Sequence, residues 1–169
     1  MSGPSEFHLT QVNVALAAAP FGAPSMAGIV SRIAEVNALA ERSPGFVWRF
    51  RNPPGNEWLA PFADYFDLFE PERIFFNMSV WESVEDLHHY VYETGHVELL
   101  RGKSAWMLPA TRPHLALWWI HRTQLPTVTE SRQRLDSLAR CGPTREAFSF
   151  AKSFPSPAGA APVPAAGQA

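Results

Sequence analysis

Three asparagines stand in stretches of sequence that are otherwise apolar, and they are the first candidates for a functional site. Asn13 lies within FHLTQVNVAL, Asn37 falls on the apolar stripe of a predicted helix, and Asn77 interrupts a predicted strand. A buried amide without a partner costs about 1–3 kcal/mol, so each side chain needs a protein group, water or a ligand. Two interpretations stay open: structural hydrogen bonding, or a shared pocket between sheet and helices into which Asn13 and Asn37 point. Asn77 is a further candidate substrate contact.

The segment NMSVWESVEDLHHYVYETGH, residues 77–96, is rich in side chains that can transfer protons. His96 follows Gly95, which is expected to break a helix and to place the next side chain at a pocket rim. An imidazole transfers protons near neutral pH, so His96 is the predicted acid or base. A surface or structurally satisfied histidine is the alternative. His88 is a candidate substrate contact, whereas His89 points away from the apolar stripe.

Aromatic and cationic side chains supply the remaining candidates. Tyr92, with Asn13, is predicted to orient a substrate or to stabilise an enolate-like oxygen. An inward-facing Arg49 would select a carboxylate, and solvent exposure is its alternative. Three tryptophans have two possible roles: they pack in the core, or they wall a pocket for a flat aromatic ligand. They are Trp48, Trp81 and Trp118.

Composition and missing motifs narrow the function classes. The chain has 169 residues, 46% of them apolar and 18% charged, and its net charge of −2 gives no footprint for nucleic acid. No apolar run reaches 18 residues, and the N-terminus lacks the pattern of a signal peptide, so we expect a cytoplasmic, soluble protein without a membrane partner. HExxH, CxxC, GxGxxG and P-loop motifs are absent, which predicts neither a metal nor a nucleotide. The single Cys141 is interpreted as an inert thiol.

The apolar periodicity predicts four strands and four helical segments. The strands are 7–16, 46–51, 73–81 and 114–121, and the helices are 26–41, 84–93, 96–107 and 128–140. Ser25, Ser83 and Thr127 are the predicted N-terminal caps, the last with Glu130 as a full capping box. Gly142 is predicted to end the last helix.

The connection 52–72 carries too many aromatic and aliphatic side chains to lie in water, so we expect it to pack on the core or on a partner subunit. Residues 1–154 are predicted to form one domain, and the Pro/Ala-rich segment 155–169 a flexible tail.

The order of elements is β-α-β-β-α-β with an additional C-terminal helix, which is the ferredoxin-like α+β arrangement. Four strands with two helices on one face leave the other sheet face open. We therefore expect a homodimer in which two such faces pair.

Several strings of residues resemble an uncharacterised bacterial family, the domain of unknown function 3291. They are FHLTQVNVA, NALAERSPGFVWR, NMSVWESVEDL with YVYETGH, LALWWI and GPTREAFSF. The resemblance implies the dimeric α+β barrel fold, a group that includes antibiotic-biosynthesis and haem-degrading monooxygenases. In the haem-degrading group an asparagine of the first strand and a histidine of the second helix face the pocket. Asn13 matches the first of these in position, and His96 approximately matches the second.

One departure from the family pattern matters. Where such sequences usually carry a histidine before the final Pro-Thr, this chain has Gln124 in WIHRTQLPT, so no role for that histidine carries over. The resemblance and the residues together predict a cofactor-independent oxygenation, isomerisation, cyclisation or dehydration of a small apolar substrate, aromatic or polyketide-like. The alternatives are a haem protein with His96 as the axial ligand, and a non-catalytic dimer that binds a small ligand.

Overall fold

A four-stranded antiparallel sheet is the centre of the computed structural model, which describes residues 4–94, 98 and 101–157. The strands are β1 (Phe7–Leu16), β2 (Phe46–Arg49), β3 (Ile74–Trp81) and β4 (Leu115–His121), and they lie in the order β2-β3-β1-β4. The helices are α1 (Ala27–Arg42), α2 (Val84–Glu93), a short α3 (Lys103–Trp106) and α4 (Val128–Cys141). This order is that of the split βαβ unit, so the predicted ferredoxin-like α+β fold with an additional C-terminal helix is confirmed.

The strand register sorts the side chains onto two faces of the sheet. Val12 of β1 is opposite Met78 of β3, whereas its neighbour Asn13 is opposite Asn77. Successive side chains in a strand alternate between the faces, so β3 has an apolar face and a mixed face. The apolar face carries Ile74, Phe76, Met78 and Val80, and the mixed face carries Phe75, Asn77, Ser79 and Trp81. The mixed face carries the candidate amides, and what covers that face determines the site.

Helices α1 and α2 cover the mixed face. Their contact with the sheet is a core of side chains with little or no exposure: Leu9, Ala40, Trp81, Leu87, Tyr90, Leu117 and Phe148. Trp81 stacks on Tyr90 with ring centroids 5.0 Å apart. The contact fixes α2 over β3 and so holds one wall of the space above Asn77.

The opposite face of the sheet is not open, so the sequence-based expectation of an open face is wrong. The segment between β2 and β3 forms a 3-10 helix at Glu57–Phe62, and it covers this face together with α4. The resulting core contains Val12, Leu59, Phe62, Tyr65, Met78, Trp118 and Leu135, all nearly or fully buried. The expectation that residues 52–72 pack on apolar surface is confirmed for Leu59, Phe62 and Tyr65, whereas Leu68 and Phe69 are exposed. The homodimer stays a prediction, and the surface expected for it is occupied by the chain itself.

The helix starts follow their capping residues in two cases out of three. Ser83 accepts a hydrogen bond from the Asp86 amide, and Thr127 accepts one from the Glu130 amide, as predicted. Ser25 does not cap α1, because it lies inside a 3-10 turn at Pro24–Met26 that leads directly into the helix. Such a turn satisfies the first backbone groups without a side chain.

The last helix has half of its predicted capping box. The Glu130 side chain does not return to Thr127; its Oε1 accepts instead from Trp118 Nε1 at 3.1 Å and from Arg134 at 2.9 Å. Glu130 therefore ties α4 to the buried tryptophan of β4. Gly142 ends the helix at φ 69°, a conformation that favours glycine, so the predicted end is confirmed.

The cap of α4 can be tested by one substitution. Thr127→Ala is expected to lower the free energy of unfolding by about 0.5–2 kcal/mol, because the Glu130 amide loses its acceptor. Urea denaturation measures the change. The control is Thr129→Ala, which changes an exposed threonine two residues further along. It should change the free energy of unfolding by less than about 0.5 kcal/mol. Equal effects of the two substitutions would contradict the capping role.

Two predicted segments extend beyond the described residues. In the predicted helix 96–107, Glu98 is helical and α3 occupies Lys103–Trp106, while the predicted break at Gly95 lies outside the described residues. Of the predicted tail, only residues 155–157 are described.

Candidate functional site

Polar side chains form a ladder across the mixed face of the sheet. Gln11 Nε2 donates to Asn77 Oδ1 at 2.6 Å and to Ser79 Oγ at 2.9 Å. Trp81 Nε1 also donates to Ser79 Oγ, at 2.8 Å. Gln11 and Ser79 are nearly fully buried, so the ladder is a fixed polar strip beneath the helices. Because the network fixes the orientation of these side chains, it also fixes which donors and acceptors remain for a further polar contact on this face.

A cavity of about 150 Å3 opens between this ladder and the two helices. We call it the amide pocket, because the three candidate asparagines all line it together with Gln11. Its remaining walls come from α1, from α2 and from the start of β4: Ile33, Val36, Phe75, Leu87, Tyr90, Val91, Tyr92, His114, Leu115 and Phe150. The structure therefore brings Asn13, Asn37 and Asn77 together, although Asn13 and Asn77 are 64 residues apart in the sequence.

The amides of the pocket differ in how they are satisfied. Asn77 is held by Gln11, whereas Asn13 Oδ1 is buried and has no hydrogen-bond partner among the described residues. Asn37 is half-buried on α1, and its amide makes no hydrogen bond within the described part of the chain. Buried polar atoms in native proteins are nearly always paired, so an unpaired oxygen on a residue that lines a cavity points to a ligand or water as its partner.

Two tyrosines border the pocket in different ways. The Tyr90 hydroxyl donates to the Val36 carbonyl at 3.0 Å, and burial raises the pKa of Tyr90 well above its ordinary value. Tyr90 is therefore a neutral wall. Tyr92 is half-exposed at the rim, where its ring lies 4.6 Å from that of His88 and 5.7 Å from that of Phe150. His88 itself is exposed and lies outside the pocket lining, behind Tyr92.

The three tryptophans do not line the amide pocket, so this cavity does not support their predicted contact with a substrate. Trp118 and Trp48 lie on the opposite face of the sheet, where they pack with the core beneath α4. Trp81 shares the mixed face, but it has no exposed surface and lies under Tyr90. Strand alternation and burial remove all three from the cavity.

Arg49 lies beside the amide pocket rather than in it. Its guanidinium pairs with Glu41 at 2.6 Å, and Arg51 pairs with the same carboxylate at 3.1 Å. The hydrogen bond from Arg49 lowers the pKa of Glu41. Arg49 lines a neighbouring cavity of about 460 Å3 that shares Asn37 and Asn77 with the amide pocket. Arg49 and Arg51 share this one carboxylate, so Arg49 is held in an ion pair beside the amide pocket, and its role in binding a substrate carboxylate stays a prediction.

The predicted acid or base, His96, lies outside the described residues. A different histidine, His114, borders the amide pocket at the start of β4. The sequence contains no local sign of this role, since His114 reaches the pocket only because Leu115 pairs with Asn13 across the sheet. Gln11 could have been found from the sequence, because it alternates in phase with Asn13 in an apolar strand.

The described residues contain neither a cluster of metal-binding side chains nor a membrane-spanning helix. Among residues 4–94, 98 and 101–157, no three His, Cys, Asp or Glu side chains come together as a metal site requires. None of the helices described is both long and apolar enough to cross a bilayer.

Solved structures with a similar fold are known, but they differ greatly in sequence. SnoaB, a cofactor-independent oxygenase from Streptomyces nogalater, is 21% identical with a TM-score of 0.43 over 70% of this chain and 97% of SnoaB. PA3566 from Pseudomonas aeruginosa is 16% identical with a TM-score of 0.42 over 72% of this chain and 98% of its own. NE2512, a protein of unknown function from Nitrosomonas europaea, is 12% identical with a TM-score of 0.44 over 74% of this chain and 99% of its own. Similarity at this level says nothing about the activity of this chain.

Sequence comparison places the chain in a family. No curated protein matches it. A family model, however, matches residues 8–163, which include all of the sheet except its first residue, together with α1, α2 and α4 and every described residue of the amide pocket. The resemblance seen in the sequence is thereby confirmed, and the chain belongs to the family described as Domain of unknown function (DUF3291).

Proposed function

We propose that this protein is a small-molecule enzyme that holds a ring-sized substrate with a hydroxyl or enol group in the amide pocket. One observation carries the proposal: Asn13 lines the cavity, and its Oδ1 is buried without a hydrogen-bond partner among the described residues. A hydroxyl that donates to this oxygen would remove an unfavourable feature of the empty protein. A purely apolar ligand would leave that feature in place.

The amide nitrogen of Asn37 suits a substrate oxygen that gains negative charge, because it is a hydrogen-bond donor. Asn13 can accept a hydrogen bond from the neutral substrate, and Asn37 can donate one from the opposite wall. Donors that are fixed in place where charge develops are a main source of catalytic stabilisation. Asn77 is held by Gln11 and so forms the rigid floor between the two.

A proton acceptor is needed for such a reaction, and His114 is the candidate within the described residues. It borders the amide pocket and is exposed to solvent, which allows protons to leave. Burial raises the pKa of Tyr90, which makes its hydroxyl a weaker acid than an ordinary phenol. Removal of a proton from the carbon α to the carbonyl group of a ketone, or from the hydroxyl of its enol, would give the same enolate, which can be protonated at carbon or can react with dioxygen. Isomerisation and cofactor-independent oxygenation are the two reaction classes that follow.

The volume of the pocket limits the substrate. A cavity of about 150 Å3 holds a benzene-sized ring. A polycyclic substrate would have to extend past His114, which also lines a larger cavity on its other side. The reacting part of the substrate is therefore expected to be a single six-membered ring or its equivalent.

Binding of phenol and anisole tests the proposal. Phenol resembles a ring enol and can donate to Asn13 Oδ1, whereas anisole has the same ring and no donor. We expect isothermal titration to show that phenol binds at least about tenfold more tightly than anisole. Equal affinities would contradict the proposed role of the unpaired oxygen.

A pair of substitutions on β1 gives the matched control. Thr10 Oγ1 is also buried without a partner among the described residues, but it lies on the opposite face of the sheet. Asn13→Leu should lower phenol affinity at least about tenfold, because the leucine has similar size and cannot accept a hydrogen bond. Thr10→Val should leave phenol affinity unchanged. Loss of binding in both variants would mean that the strand, and not the amide, determines binding.

A further inference from the structure

A second and larger cavity, of about 900 Å3, lies at the end of the sheet where β1 finishes. Its wall is largely apolar and comes from β1, from residues 65–68 and from residues 104–113, with Val14, Leu16, Phe66, Met107 and Leu108 as its main side chains. Cavities of several hundred Å3 with apolar walls and a few polar groups are typical of small-molecule sites. This volume is enough for a ligand with an extended apolar body.

Three arginines from separate segments line this cavity: Arg73, Arg101 and Arg112. Among the described lining residues the only carboxylate is Asp67. The whole chain, in contrast, carries a net charge of −2. The lining therefore reverses the sign of the overall charge, so we call this space the arginine cavity.

The three guanidinium groups differ in how strongly they are engaged. Arg73 is held by Glu70 at 2.6 Å and by the Ala17 carbonyl at 2.9 Å, so its role is structural. Arg112 lies over the Tyr65 ring at 5.5 Å and makes a long 3.5 Å hydrogen bond to a backbone carbonyl. Arg101 makes no ion pair or hydrogen bond with another described residue. Two cationic groups at the cavity are therefore without a carboxylate partner in the described part of the chain.

We propose that the arginine cavity binds an amphipathic carboxylic acid. The carboxylate would lie between Arg101 and Arg112, whose planar guanidinium groups match its geometry. The apolar body would lie along Leu16, Phe66 and Met107, where contact with apolar surface stabilises it. This ligand is charged, unlike the neutral hydroxyl compound of the amide pocket, so the two sites are distinct although His114 borders both.

Decanoate and decanol test the charge requirement at concentrations below those at which decanoate forms micelles. Isothermal titration at low salt should show binding of decanoate and at least about tenfold weaker binding of decanol. Raising the salt concentration should weaken decanoate binding, because both arginines are exposed. Equal binding of the two compounds would overturn the proposal.

Substitutions then locate the site. The double variant Arg101→Met and Arg112→Met keeps apolar bulk but removes both charges, and it should weaken decanoate binding at least about tenfold. Arg145→Met is the control, because Arg145 is exposed and does not line the cavity, and it should bind decanoate as the unmodified protein does. Ala110→Glu adds an anion at an exposed position of the lining, so it should weaken decanoate binding even if the double variant does not fold.

The two sites can fail independently. Asn13→Leu should retain decanoate binding, and the double arginine variant should retain phenol binding. Decanoate binding that survives both the double variant and Ala110→Glu would place the acid elsewhere and overturn the proposal, whatever the result with phenol.

Discussion

Replacement of His114 by glutamine should lower the catalysed exchange of the α-protons of cyclohexanone about 10²–10⁴-fold, the usual contribution of a positioned acid or base. His114 borders the amide pocket, and the proposed enolate needs a group that accepts a proton near neutral pH. Glutamine keeps a polar side chain of comparable reach but cannot accept that proton. The exchange is measured in D2O as the loss of the α-proton signal by NMR.

His121 at the other end of β4 provides the matched control. It is exposed, and its Nδ1 lies 2.7 Å from Thr123 Oγ1, away from the amide pocket. His121→Gln should leave the exchange rate unchanged, and phenol should bind both variants within about twofold of the unmodified protein. An equal rate for His114→Gln and the unmodified protein would remove His114 as the base. If the unmodified protein does not exceed the buffer rate, the pocket binds ligands without enolate chemistry.

Features of the fold that depend only on residues close together in the sequence could be predicted. Alternation along β3 placed Met78 and Asn77 on opposite faces, and the register confirms it. Ser83 and Thr127 marked helix starts because a cap needs only the amide three residues ahead. Both kinds of signal are local, so one sequence is enough to read them.

The covering of the second sheet face could not be predicted in the same way. Residues 52–72 carry no regular periodicity, so their apolar content showed that they pack but not on what surface. Phe62 meets Phe76 of β3 and Leu135 of α4 in the same core. That meeting depends on three-dimensional placement of segments far apart in the sequence, which periodicity does not encode.

The candidate site was predictable to the same extent. Asn13, Asn37 and Asn77 stood out because amides are unusual in apolar stretches, and all three line one cavity. Trp118 and Trp81 were ambiguous, because a tryptophan fills a core as readily as it walls a pocket. Their burial settles the choice: both are fully enclosed. His114 could be found only from the cross-strand pairing of its neighbour.

Phe62→Ala should lower the free energy of unfolding by about 3–5 kcal/mol, as expected for the removal of a buried phenylalanine ring from a packed core. The Phe62 ring has no exposure and makes edge contacts with Tyr65 at 5.5 Å and with Phe76 at 5.6 Å. The cost has two causes: the loss of buried apolar surface, and the cavity that remains on the sheet face that α4 also covers. Urea denaturation followed by tryptophan fluorescence measures it.

Phe69→Ala makes the same chemical change seven residues further along the segment, where the ring is 44% exposed. Its cost should be below about 1 kcal/mol, because little burial is lost and no cavity forms. If Phe62→Ala does not fold, Phe62→Leu keeps most of the volume and should cost less than about 1.5 kcal/mol. Small and equal effects of Phe62→Ala and Phe69→Ala would mean that residues 57–66 do not cover the sheet in solution. The sheet face would then be open for the pairing of two subunits, as the order of elements alone predicts.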